Sequence, residues 1–296
     1  MPSWSQILLD IDQHASNPNF IQDLRMQYLN SIASITGRNV ITYYSGWLRI
    51  KDNEDVSITD ADKNAFMNAV YGMDRSKGLD LILHTPGGDI AATESIVSYL
   101  QQLFNGNIRA IIPQISMSAG TMIAMSCREI IMGKQSSLGP IDPQMGGVAC
   151  QAVLDEFQRA VHEVSVNPAS LGLWQVIISK YHPTFLTACQ DAVRWSEELV
   201  TKWLQAVNPS IDIKKVKNVF LNHNRSYSHS RHMSCQDCKD AGLNVVELES
   251  NQDLQDAVLS LHHCYMIIME RLSLVKFVEN QYGKTYFIQQ SLAATK

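Results

Sequence analysis

No run in this 296-residue chain reaches the roughly 18 to 20 consecutive apolar residues that a membrane span requires. The opening stretch MPSWSQILLDIDQH carries acidic residues where a secretory leader carries basic ones, and it lacks a long apolar centre. Cysteine is scarce: 6 residues, scattered without the spacing of a disulfide framework. These absences make the cytoplasm the expected compartment. A Lys/Arg-rich stripe is also missing, and the formal net charge is -5, so phosphate-held nucleic acid is not an expected partner. Lys214, Lys215 and Lys217 read as one solvated helical face. There is no internal repeat, no low-complexity segment and no Pro/Gly/Ser-rich linker. No GxGxxG follows any predicted strand, so no nicotinamide site is expected, and no other cofactor is implied.

What is present is an ordinary globular composition, 45% hydrophobic and 18% charged, in a chain long enough for one large α/β domain with a helical appendage. Apolar spacing predicts helix over 3–34, broken near Asn17-Pro18. Residues 38–50, rich in β-branched and aromatic types, predict a strand, and 59–71 a helix. Three short apolar runs follow, at 79–84, 108–115 and 129–132, each ending in a turn. The first two turns lead into helices. Strand–turn–helix repeated at this pitch is the pattern of a parallel sheet with right-handed crossovers. Beyond 151 the chain reads as mostly helical (151–163, 169–181, 184–206, 211–222), with a strand near 243–248, a last helix over 251–276 and a β-like tail at 284–289. The expected organisation is an N-terminal helical segment (1–37), a main domain (38–250) and a C-terminal helical extension (251–296).

Two of the turns carry residues suited to chemistry. Thr85-Pro86-Gly87-Gly88 ends a strand and opens a helix. Paired glycines let a ligand approach the backbone, and free N–H groups at a helix start suit a developing oxyanion. A Pro-Gly-Gly turn is also common punctuation. Ser116-Met117-Ser118-Ala119-Gly120 places a serine before two small residues at a strand–helix junction. A nucleophile is exposed on such a turn, with the next N–H beside the tetrahedral intermediate. A serine at either position is equally suited to cap the following helix. The pair is more specific than its members. Successive strand–helix units put both turns at one edge of a parallel sheet, where such sheets build sites.

HTPGGD followed by SMSAGTMIAMSCREIIMGKQSSLGPIDPQ resembles the serine dehydrogenase proteinase family, which is related to signal peptide peptidase A and more distantly to the Clp protease proteolytic subunit. The likeness is strongest over 79–145 and extends more weakly to the end through HSRHMSCQDCKDAGLNVVEL. It implies a Clp-protease/crotonase-like α/β fold, a ββα superhelix with a helical C-terminal extension, and a serine endopeptidase acting on peptide or protein substrates. It also implies Ser118 as nucleophile, with Ser116 as the rival serine. Gly88 and Ala119 would supply the oxyanion N–H groups, with Gly87 shaping the turn. Relatives assemble into rings or stacks, so a homo-oligomer is expected.

The base is less plainly marked. Signal peptide peptidase-like members use a lysine downstream on a helix, and Lys180 ends the apolar segment Leu171, Leu173, Trp174, Val176, Ile177, Ile178, which could desolvate it. Lys134 lies closer in sequence, in a surface-type turn. His182 is the alternative base, and Asp142 would then orient an imidazole or else shape its Asp-Pro turn. His84 is expected to pack beneath the strand end. His229, His232, Cys235 and Cys238, with His223 upstream, are zinc-ligand types, but steps of three around a helix cannot all converge on one ion, so no metal is expected. His262 and His263 are adjacent and face different ways. Two other functions fit the same fold: an acyl-CoA-handling enzyme with an oxyanion hole but no nucleophile, and an inactive scaffold or partner-binding protein.

Overall fold

The computed structural model describes residues 4–50 and 53–290. The first residue of the expected N-terminal helix and positions 291–296 of the C-terminal segment lie outside the described residues. Two helices, α1 (Trp4–Gln13) and α2 (Phe20–Thr36), precede strand β1 (Asn39–Ser45) and helix α3 (Asp62–Ala69). Then come β2 (Leu79–His84), α4 (Ile90–Phe104), β3 (Ile108–Ile112), β4 (Ile115–Ser116), α5 (Ala119–Ser126) and β5 (Glu129–Met132). Short strands β6 (Ser137–Leu138), β7 (Gln144–Met145) and β8 (Val148–Ala149) lead to the helices α6 (Cys150–Val166), α7 (Leu171–Ile178), α8 (Phe185–Val207), α9 (Ile213–Phe220) and α10 (His223–Ser226). The chain closes with β9 (Met233–Ser234), α11 (Cys235–Ala241), β10 (Val245–Glu247), α12 (Gln252–Arg271), β11 (Leu274–Asn280) and β12 (Thr285–Gln289).

The main sheet has seven strands in the order β10-β5-β3-β2-β1-β11-β12. The first five are mutually parallel, and β11 and β12 add an antiparallel edge. Both faces are covered, which is why the parallel strands are near-continuous apolar runs. Leu79, Leu81 and Leu83 of β2 point with Ile108, Ala110 and Ile112 of β3 into one core, shared with α3, α4 and α5. Ile82 and Ile111 point the other way, to join Leu29 and Ile32 of α2 and Leu261, Tyr265 and Ile268 of α12. Burying each such side chain is worth about 1.5–3 kcal/mol. Asp80, also buried in β2, is tolerated because Arg38 and Arg109 each approach its carboxylate at 2.7 Å.

The mixed α/β fold with a parallel-rich sheet agrees with the sequence reading, and the C-terminal segment differs in detail. The expected last helix stops at Arg271 rather than near 276, because Ser273 takes a left-handed φ of 48° and reverses the chain. Leu274–Asn280 is instead a fully buried strand paired with β1. Residues 252–289 are therefore a helix plus a hairpin built into the main sheet.

Candidate active site

A second, three-stranded sheet orders β4-β6-β9 and builds the site. It hangs from the end of β2: Thr85 N–H donates to Ile115 O at 3.3 Å, and Met117 N–H donates to Thr85 O at 3.0 Å. Strands β4 and β6 are parallel, and β9 is antiparallel to β6. The residues that follow β4 and β6, and those that precede β9, therefore leave the same edge. Ser118 follows β4, Asp142 follows β6, and His229 precedes β9. Two-residue strands thus gather three distant positions.

Ser118 sits at φ 50°, ψ -117°, between β4 and α5. A non-glycine residue held there is strained, as expected of a nucleophile raised on a sharp strand–helix turn. Every residue of α5 is buried. Thr121 Oγ1 anchors its first turn by donating toward Ser116 O and Gly139 O, each at 3.0 Å. Ser116 differs from Ser118. It is fully buried, its hydroxyl has no hydrogen-bond partner among the described residues, and it does not line the cavity.

The glycine turn lies directly against Ser118. Gly87 adopts φ +98°, and a Cβ there would stand 2.7 Å from Met117 O and 2.8 Å from Ala119 N. Gly88 is clasped from its other side by Ile58, whose N–H donates to Gly87 O at 2.8 Å and whose O accepts from Asp89 N–H at 2.9 Å. Asp89 caps α4 by accepting from Ala92 N–H at 2.7 Å. Among the described residues, neither Gly88 N–H nor Ala119 N–H donates a hydrogen bond. Two unspent donors beside a raised serine are what an oxyanion hole requires.

Both turns line a cavity of about 640 Å³, closed by Ile141, Pro143, Gln144 and Met145, by α8, and by His229. The Asp142 carboxylate, 1% exposed, accepts from His229 Nδ1 at 2.6 Å and from His223 Nδ1 at 2.8 Å. Gln144 Nε2 adds a third donor at 3.2 Å. Burial pushes the Asp142 carboxyl up, but the histidine hydrogen bonds outweigh it and hold the group below the usual aspartate value. A carboxylate on Nδ1 sets the His229 tautomer with its Nε2 free to accept a proton.

The other expected bases are elsewhere. Lys180 sits in an exposed turn after α7 and does not line the cavity. The apolar segment expected to desolvate it is itself largely exposed, with Leu173 at 63% and Val176 at 62%. His182 is exposed, bonded to Pro183 O at 2.5 Å, and does not meet Asp142. Lys134 is exposed on the loop before β6, its N–H donating to Glu249. His84 is buried against Trp47, Tyr44 and His262, with its value driven down to about 3 by desolvation, so it stays neutral in the core. The zinc-type residues part company. His223 and His229 go to Asp142, His232 Nδ1 meets Ser137 Oγ at 2.7 Å, and Cys238 is buried in α11. Histidines 223 and 229 were visible in the sequence as ligand types. Their link to Asp142, 81 and 87 residues away, has no local signature.

A strained serine on a strand–helix turn, flanked by unspent N–H donors at the edge of a doubly covered parallel-rich sheet, defines the class: a Clp-like serine hydrolase scaffold. The chain belongs to the ClpP-like SDH-type serine proteinase family, whose pattern matches residues 25–291. It is similar to the uncharacterized protein MJ1495 of Methanocaldococcus jannaschii, 36% identical over 108 residues covering 36% of this chain and 37% of that one. It is also similar to the uncharacterized protein MJ0137 of the same organism, 39% identical over 102 residues, or 34% of this chain and 35% of that one. These matches span about a third of the length of those curated relatives. Among the described residues, no helix is long and apolar enough to cross a membrane.

Proposed function

We propose that this chain is a serine endopeptidase that hydrolyses peptide bonds through an acyl-enzyme formed on Ser118. His229 takes the serine proton and passes it to the leaving amine, Asp142 orients and stabilises the imidazolium, and the N–H groups of Gly88 and Ala119 hold the oxyanion. The observation that carries this reading is the common edge of β4, β6 and β9, from which Ser118 and His229 reach one cavity while Asp142, between the lining residues Ile141 and Pro143, holds His229 from behind. A histidine base replaces the Ser118–Lys180 dyad expected from the sequence, because Lys180 is solvated and away from the cavity. The extended substrate would lie along the Gly87-Gly88 turn. β6 offers no room for it, being paired on both sides.

Self-assembly belongs to the same reading. Val161 and Val166 of α6 expose 73% and 72% of their surface, and Leu173 and Val176 of α7 nearly as much, an apolar area suited to a second copy. Cleavage of an unstructured protein such as casein tests the catalytic assignment. Ser118→Ala and His229→Gln should abolish cleavage, and Lys180→Ala should leave it unchanged. Loss of activity in Lys180→Ala together with full activity in His229→Gln would overturn the assignment.

A further inference from the structure

Beneath the glycine turn lies a buried ion pair that the proposed chemistry does not touch. Lys276 of β11 and Asp62 of α3 are both 0% exposed. Lys276 Nζ stands 2.7 Å from Asp62 Oδ1 and donates to Oδ2 at 2.9 Å. Asp62 Oδ2 also accepts from Tyr43 Oη at 2.9 Å and from Thr59 N–H at 2.9 Å. The ammonium has one further acceptor, Ser57 O, at 2.9 Å. Ser45 Oγ donates to Val56 O at 2.6 Å on the preceding residue. Three of these contacts, on Val56 O, Ser57 O and Thr59 N–H, hold the segment 56–59 from behind, and the rest fix Asp62 and Lys276 against each other.

The front of that segment holds the oxyanion turn. Ile58 pairs with Gly88 in a parallel bridge, and the Gly88 Cα lies so close that a Cβ would fall 2.2 Å from Ile58 N. Ser57 itself lines the cavity. The chain of contacts runs from Lys276 and Asp62 through Ser57, Ile58 and Thr59 to Gly88. A fully buried ion pair is a poor way to gain stability, since well-packed apolar residues of similar volume often do as well or better. Its value here is directional: two charges with fixed hydrogen bonds hold a loop backbone in one place.

We infer that Lys276 and Asp62 are positioning residues that fix the direction of the Gly88 N–H through the Ile58 bridge. This rests on the proposed oxyanion role of Gly88. Their removal should slow formation of the tetrahedral state while leaving ground-state binding in the cavity alone.

The test compares wild type, Lys276→Met and the neutral hydrogen-bonding pair Asp62→Asn/Lys276→Gln. Folding is checked by near-UV circular dichroism. The readouts are the second-order rate of labelling by a fluorophosphonate and, for a peptide ester, kcat and KM separately. Folded variants should label and turn over about 10- to 100-fold more slowly with KM within about 2-fold, because a misaimed donor loses part of the 10²–10³ that one oxyanion donor supplies. A merely structural role would lower the melting temperature and leave kcat unchanged, and that result overturns the inference. If Lys276→Met does not fold, the neutral pair decides. A wild-type protein that does not label at all would instead sink the serine hydrolase reading, and this inference with it.

Discussion

Replacing Gly87 by alanine pushes a methyl group into the space between the glycine turn and the Ser118 turn. At φ +98° the new Cβ would stand 2.7 Å from Met117 O, 2.8 Å from Ala119 N and 2.8 Å from Ser118 Cβ. None of these is the far end of a flexible side chain, so the turns themselves must move apart. A left-handed non-glycine residue costs about 1–2 kcal/mol, and overpacking typically adds about 1–3 kcal/mol. A total loss of about 2–5 kcal/mol is expected from urea unfolding at neutral pH. Gly37 at the end of α2 supplies the control: φ is +67°, and nothing lies within 4 Å of its Cβ. Gly37→Ala should therefore lose only the conformational part, about 1–2 kcal/mol. Fluorophosphonate labelling should fall by about 100-fold or more in Gly87→Ala, since an ångström of misplacement at reacting groups costs that much. It should be unchanged in Gly37→Ala. Equal unfolding midpoints and equal labelling rates in the two variants would refute the close approach of the turns as the basis of the site.

Ser116→Ala removes a buried hydroxyl that has no hydrogen-bond partner among the described residues; its unfolding free energy should be unchanged or higher by up to about 1 kcal/mol, and its labelling rate should match wild type. Asp142→Asn should reduce labelling by about 100-fold or more, because the amide no longer holds His229 in the proton-accepting tautomer. The same variant carries a pH signature. The native Asp142 value is depressed, so its stabilising contribution is complete above the unfolded aspartate value of about 3.9 and is lost as pH falls through the lower native value. Unfolding midpoints measured from neutral pH down to about pH 2 should show the wild-type advantage over Asp142→Asn shrinking across that acidic window. An advantage that persists unchanged at the acid end would contradict a carboxylate held by the histidine hydrogen bonds.

Much of the fold was legible because parallel strands buried on both faces are written as short apolar runs punctuated by turns. Leu79–His84 read that way directly, and the single run expected over 108–115 divides into Ile108–Ile112 and Ile115–Ser116. The glycine turn and Ser118 were legible for the same reason, as the punctuation at two strand ends. The three strands that gather the site were not legible. At two residues each, β4, β6 and β9 are too short to show any periodicity. Without them nothing in the sequence brings His229 to Asp142. The apolar run before Lys180 reads as buried, whereas α7 leaves Leu171, Leu173 and Val176 exposed. The last helix was overextended because no Gly or Pro marks its end at Ser273, and Lys276 does not read as a buried strand residue. Only its partner Asp62, more than 200 residues away, explains a buried lysine there.

The most direct measurement is to locate the covalent adduct. The wild-type protein is reacted with a fluorophosphonate, digested, and its modified peptide sequenced by mass spectrometry, alongside His229→Gln under the same conditions. A single phosphonylated residue, Ser118, with the adduct strongly reduced in His229→Gln, is the expected result. Modification at Ser116, or labelling of Ser118 that proceeds at the wild-type rate without His229, would contradict it.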